Sequence, residues 1–149
     1  LDHGLCRELN ESTRLNFCRL WEALVLQDDK NVIDASYALG VKQWEMFAAM
    51  LLFRPYRGTV GLGQRASSAD RRKTAQMFHK LQDQLSETMK SMPRELLLVM
   101  RNQAYIRYLD KELGSPVNRY TTMARVAVQG LTFQPTPALP KTDEARLAL

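Results

Sequence analysis

Asp2 and Gly4, in the run Leu1-Asp2-His3-Gly4-Leu5, are the residues of this chain best suited by type and spacing to chemistry. A carboxylate followed by one variable residue and a glycine can hold a magnesium ion that bridges nucleotide phosphates. Mg²⁺ is a hard cation that takes oxygen ligands, so an aspartate suits the task. Glycine lets the backbone turn sharply where a side chain would obstruct it. Asp-x-Gly is equally an ordinary turn, and the pentapeptide alone does not separate the two readings.

Other chemistry-bearing residues point to packing or solvent. Cys6 and Cys18 have neither CxxC spacing nor a His close by, and Cys18 shares an apolar stripe with Phe17, Trp21 and Val25. It is expected to pack as a small hydrophobe, and such sparse cysteine usage fits a reducing compartment. The run Gly58-Thr59-Val60-Gly61-Leu62-Gly63 has the order G-x-x-G-x-G. A phosphate-cradling loop has G-x-G-x-x-G after a strand, whereas a helix precedes this loop. His79 lies opposite the apolar seam of its helix and is expected to face solvent.

The elements that position these residues read as mainly α: about six helices after a short strand or turn. Three segments follow from it: residues 1–10 as the metal-binding turn, 11–131 as a helical subdomain and 132–149 as a Pro-containing tail. Asn10 or Ser12 can cap a first helix to Gln27, with Phe17, Cys18, Trp21, Leu24 and Val25 on one face. Asp28 and Asp29 start a second, with Val32, Ile33, Ser36 and Leu39 inward and Gly40 as its stop. A third carries Trp44, Phe47, Ala48, Leu51 and Leu52 until Pro55 forbids continuation. Ser67 or Ser68 opens a fourth that runs unbroken to Met92, with a narrow seam of Thr74, Phe78, Leu81, Leu85, Thr88 and Met92. Pro93 starts a fifth, whose residues 96–100 are apolar almost all round and should be deeply buried. Ile106, Leu109 and Leu113 continue it with one apolar face. Gly114 should end that helix, with Ser115 capping and Pro116 opening the sixth, whose face is Val117, Tyr120, Ala124, Ala127 and Leu131. The longest apolar run, residues 46–53, falls far short of the ~20 residues a spanning helix needs. The chain opens on Leu inside what reads as a strand-to-turn element, so a piece of a longer polypeptide is expected.

The net charge of +5 is unevenly spread. Residues 1–30 carry four basic and six acidic groups, whereas residues 64–92 and 93–131 each carry six basic against three acidic. The later helices could therefore attract phosphate, an anionic membrane or nucleic acid, although helix exteriors are normally rich in Lys and Arg.

The chain resembles the C-terminal part of the aarF-domain (UbiB-type) atypical kinase-like family. The resemblance rests on the opening pentapeptide, on Leu20-Trp21 with Leu24-Val25-Leu26-Gln27-Asp28-Asp29, on Ala38-Leu39-Gly40-Val41, and on Met50-Leu51 with Arg54-Pro55. Residues 93–102 and Leu113-Gly114-Ser115-Pro116-Val117-Asn118-Arg119-Tyr120 complete it. It implies the distal helical portion of a protein-kinase-like C-lobe. Asp2 would be the metal ligand and Gly4 its partner in the cofactor-binding turn, with no catalytic residue in this chain. The family's Lys-x-Gly-Gln motif, phosphate-covering loop, nucleotide-contacting Lys–Glu pair and catalytic-loop Asp and Asn have no counterpart here. The full-length form would use ATP and Mg as an ATPase or kinase, in mitochondria. Its partners would be the missing N-terminal kinase lobe and a membrane lipid surface or coenzyme Q-related proteins. The 149 residues alone should be inactive and bind neither cofactor tightly, because phosphoryl transfer needs several groups acting together.

Two other readings compete. A non-catalytic helical module could use Arg94, Arg101, Arg107, Lys111, Arg119 and Arg125 to engage a partner protein or anionic lipid. Nucleic-acid binding around Gly114 ranks last, since the following helix offers few side chains suited to base edges.

Overall fold

Seven helices make up the described residues of the computed structural model, which are 8–57, 62 and 67–133. Local capping chemistry sets most of their ends. Helix α1, Glu11–Leu26, starts where Asn10 accepts the Thr13 N–H at 2.8 Å. Helix α2, Asp29–Ala38, starts where Asp28 accepts the Asn31 N–H at 3.1 Å. It ends in a paired closure: Gly40, at φ +80°, donates to Tyr37 O and Val41 donates to Ser36 O. That pattern needs a left-handed residue after the helix, which glycine adopts at no steric cost. Helix α3, Trp44–Leu52, ends on Phe53 at φ 53°. A bulky residue there is uncommon and costs backbone strain.

The core is a continuous cluster led by Leu20 and Leu24 of α1, Val32 of α2, Phe47 and Leu51 of α3 and Leu96. Each such side chain contributes roughly 1.5–3 kcal/mol when fully buried. The inward faces are shifted from the simplest reading of the stripes. Helix α1 buries Leu20 and Ala23 beside Trp21 and Leu24, while Phe17, Cys18 and Val25 sit half-buried at the edge. Helix α2 buries Ala35 where Ile33 was expected to turn inward. Both helices meet two neighbours, because α1 packs on α2 and on the last helix, α7, Arg119–Thr132. A helix flanked on two sides buries a wider arc than one stripe.

The segment expected as one unbroken helix from Ser67 to Met92 is two: α4, Ser68–Lys80, and α5, Gln82–Ser91. Ser67 and Asp70 form a capping box at the start, each side chain accepting from the other's backbone N–H. The interruption is one residue wide. Leu81 has ψ 15°, away from the helical value, yet its N–H still bonds Met77 O and its C=O still accepts from Leu85. The seam survives the bend, since Thr74, Phe78, Leu81 and Leu85 are half-buried and Thr88 and Met92 buried. His79 is exposed.

Helix α6, Arg94–Glu112, follows Pro93. Only Leu96 and Met100 in its first turns are buried, and residues 97–99 are half-buried, so burial there is one-sided and not all round. Ile106, Leu109 and Leu113 are exposed. Gly114 ends α6, but Ser115 does not cap the next helix. It takes φ 51° and donates its N–H to Asp110 O at 2.7 Å, while Gly114 donates to Lys111 O. Both residues are thus occupied in closing α6. The cap falls on Asn118, whose side chain accepts from the N–H groups of Tyr120 and Thr121, and Val117 lies outside α7 and exposed. The short strand or turn expected before α1 lies outside the described residues.

Candidate functional site

The end of α3, the face of α4, the second half of α6 and the turn into α7 enclose a cavity of about 1030 Å³. Phe53, whose left-handed backbone turns the chain off α3, is among its lining residues. The Arg107 guanidinium lies over the Phe53 ring at 4.0 Å from the centroid, and that of Arg119 at 5.5 Å. Cations are attracted to the negative face of an aromatic ring, so this stacking fixes both groups. Arg119 is also anchored by donating to Leu52 O at 2.9 Å and to the Tyr120 hydroxyl at 2.8 Å. The Tyr120 hydroxyl donates in turn to Leu52 O at 2.8 Å, and Arg54 lies 5.2 Å from the Tyr120 ring centroid. One carbonyl left over at the end of α3 thereby organises the start of α7.

Arg71 of α4 and Lys111 of α6 line the same cavity, and Asp110 is the one carboxylate among its described lining residues. Arg107 differs from Arg119 in being uncommitted. Among the described residues its guanidinium has neither a hydrogen-bond acceptor nor a carboxylate partner. The surrounding protein strips water from it and the neighbouring Arg119 repels it, and both hold it below the usual arginine range.

An apolar groove of about 870 Å³ adjoins this cavity and shares Phe53 and Phe78 with it. Leu85 of α5 and Leu97, Met100 and Ala104 of α6 line it, with Arg94 and Arg101 at its polar edge.

The residues read from the sequence distribute unevenly over these features. Asp2, His3 and Gly4 lie outside the described residues, as do Cys6, Gly58, Gly61 and Gly63. Among the described residues no cluster of three or more His, Cys, Asp or Glu could hold a metal ion. Cys18 is half-buried, and burial pushes its thiol pKa up, as expected of a packing residue. Of the six basic residues noted in the late helices, the cavity gathers Arg107, Lys111 and Arg119, Arg94 and Arg101 line the adjoining groove, and Arg125 lines neither. Arg54 and Arg71 complete the set and were not singled out as ligands. Arg54 does stand in Arg54-Pro55, and that pair and the 113–120 run, two blocks that carry the resemblance, meet at this cavity.

No family model matches the chain, and no solved structure matches it significantly. Curated sequences do. A probable serine/threonine-protein kinase of Dictyostelium discoideum is 47% identical over 88% of this chain, which covers 19% of that protein. The AarF domain-containing protein kinase 1 of Mus musculus is 30% identical over 88% of this chain and is covered over 26% of its own length. A putative ABC1 protein of Arabidopsis thaliana is 29% identical with the same two coverages. The chain therefore spans about a fifth to a quarter of the relatives it matches.

Proposed function

The chain is a homologue of the ABC1/AarF-domain protein kinases, and on that premise we propose that it supplies the distal helical part of a kinase-like C-lobe. The identity of 47% to a probable serine/threonine-protein kinase over 88% of the chain carries this reading. The whole polypeptide binds ATP and Mg and acts as an ATPase or kinase. Asp2 holds the metal through its carboxylate, and Gly4 turns the backbone clear of it. Bound magnesium would neutralise charge on the nucleotide phosphates. The missing N-terminal lobe is the first partner, and a membrane lipid surface or coenzyme Q-related proteins are further ones. The site of action is the mitochondrion. No helix of the described residues is long and apolar enough to cross a membrane.

By itself the 149-residue chain offers one carboxylate for a reaction that needs several groups held together, so it should not turn over ATP. A phosphate-release assay with ATP and Mg tests this on the isolated chain. Release at the level of buffer is the expected result. Turnover that disappears in Asp2→Ala would show that the chain is catalytic alone and would refute the division of labour.

The second reading, a non-catalytic module on an anionic surface or partner, is favoured by the gathering of Arg107, Lys111 and Arg119. Its attachment would weaken as salt rises, because exposed charges are screened over about 10 Å at 0.1 M.

A further inference from the structure

Arg107 is held in place without being used. Its guanidinium is stacked on Phe53 at 4.0 Å, while its N–H donors meet no acceptor among the described residues. Arg107 is exposed, so a planar guanidinium stacked on the ring can still present its N–H fork to an oxyanion in two-pronged fashion. The groups around it carry the same sign: Arg119 shares the Phe53 ring, and Arg71 and Lys111 line the cavity, against the single carboxylate of Asp110. Such a concentration of like charge favours a counter-anion.

We propose that this cavity binds a phosphate group, carried by a small phosphorylated molecule or by a lipid headgroup, with Arg107 as its principal ligand. Arg119, Arg71 and Lys111 supply the surrounding field. Five basic residues, Arg54 among them, line the cavity against one described carboxylate, which suits a phosphate dianion better than a single carboxylate ligand. They converge on one cavity and do not run along a track, which suits one phosphate better than a nucleic-acid backbone. The existence of the site does not rest on the kinase reading.

Titrating the 149-residue chain with pyrophosphate, followed by backbone amide shifts, tests the site. Arg107→Gln is the site variant, and Arg72→Gln, an exposed position on α4 outside the cavity, is the charge control. Vesicles of phosphatidylcholine with phosphatidylglycerol form the second arm. Shifts at residues 53–54, 107–111 and 114–120, with affinity about tenfold weaker in R107Q and unchanged in R72Q, establish the site for free phosphate. Vesicle attachment lost in R107Q and competed by pyrophosphate assigns the headgroup instead. If R107Q loses its fold, Lys111→Gln is judged by the same criteria. Failure of both probes to bind, binding indifferent to the site variant, or equal weakening in R72Q overturns the proposal.

Discussion

Gly130 of α7 lies against Cys18 of α1 so closely that a Cβ at position 130 would sit 2.7 Å from the Cys18 sulfur. Real Cβ atoms essentially never come that close, so the Cys18 side chain or one of the two helices would have to shift. The contact is what lets the last helix close on the first. Arg14 reinforces it by donating to the carbonyls of Gly130 and Phe133 and to Glu11.

Gly130→Ala should therefore cost about 1–3 kcal/mol, although alanine is the better helix former. Urea unfolding of the variant measures this. Cys18→Ala removes the clashing atom, so the double variant should lose less than the two single changes together. Strict additivity would mean that the two helices do not meet as described.

Tyr56 should set an alkaline limit on stability. Burial, and then its hydrogen bond to Asp29 at 2.9 Å, raise its pKa from 10.0 to about 12. The folded state keeps the proton longer than the unfolded state does. The stabilisation is thus complete below pH 10.0 and is lost as pH rises toward about 12. Phenolate absorbance should show one late-titrating tyrosine that Tyr56→Phe removes, with a flatter stability profile above pH 10.0. A Tyr56 that titrates near 10.0 would contradict its burial and the Asp29 contact.

Ser36 is fully buried on α2, and its hydroxyl has no hydrogen-bond partner among the described residues. Burying an unpaired hydroxyl costs roughly 1–3 kcal/mol, so Ser36→Ala should be neutral or raise the melting temperature. A clear drop on thermal melting would show that the hydroxyl is engaged after all.

Helix ends were the part of the fold most open to reading from sequence, because capping is local chemistry. Asn10, Asp28, Gly40, Ser67, Pro93 and Gly114 each stand at the end they suggest. Ser115 misleads because its type suits a cap while its backbone is engaged in closing α6. The bend at Leu81 has no proline or glycine to announce it, and the seam runs through it unchanged. Burial was less legible: Leu20, Ala23 and Ala35 are covered by second neighbours that no single stripe reveals. The cavity is a tertiary product. Arg54, Arg71, Arg107 and Arg119 lie far apart along the chain, and only the meeting of α3, α4, α6 and α7 brings them to one place. Asp2 and Gly4 rest on sequence pattern and kinship alone.

The most direct test of the central claim is Mg-dependent ATP binding by the longer polypeptide that contains these residues together with a preceding lobe. Replacing Asp2 by Ala there should abolish the dependence of nucleotide affinity on Mg while thermal melting shows the fold retained. Unchanged Mg-dependent affinity in that variant would contradict the assignment of Asp2 as the metal ligand, and with it the kinase-like reading of this chain.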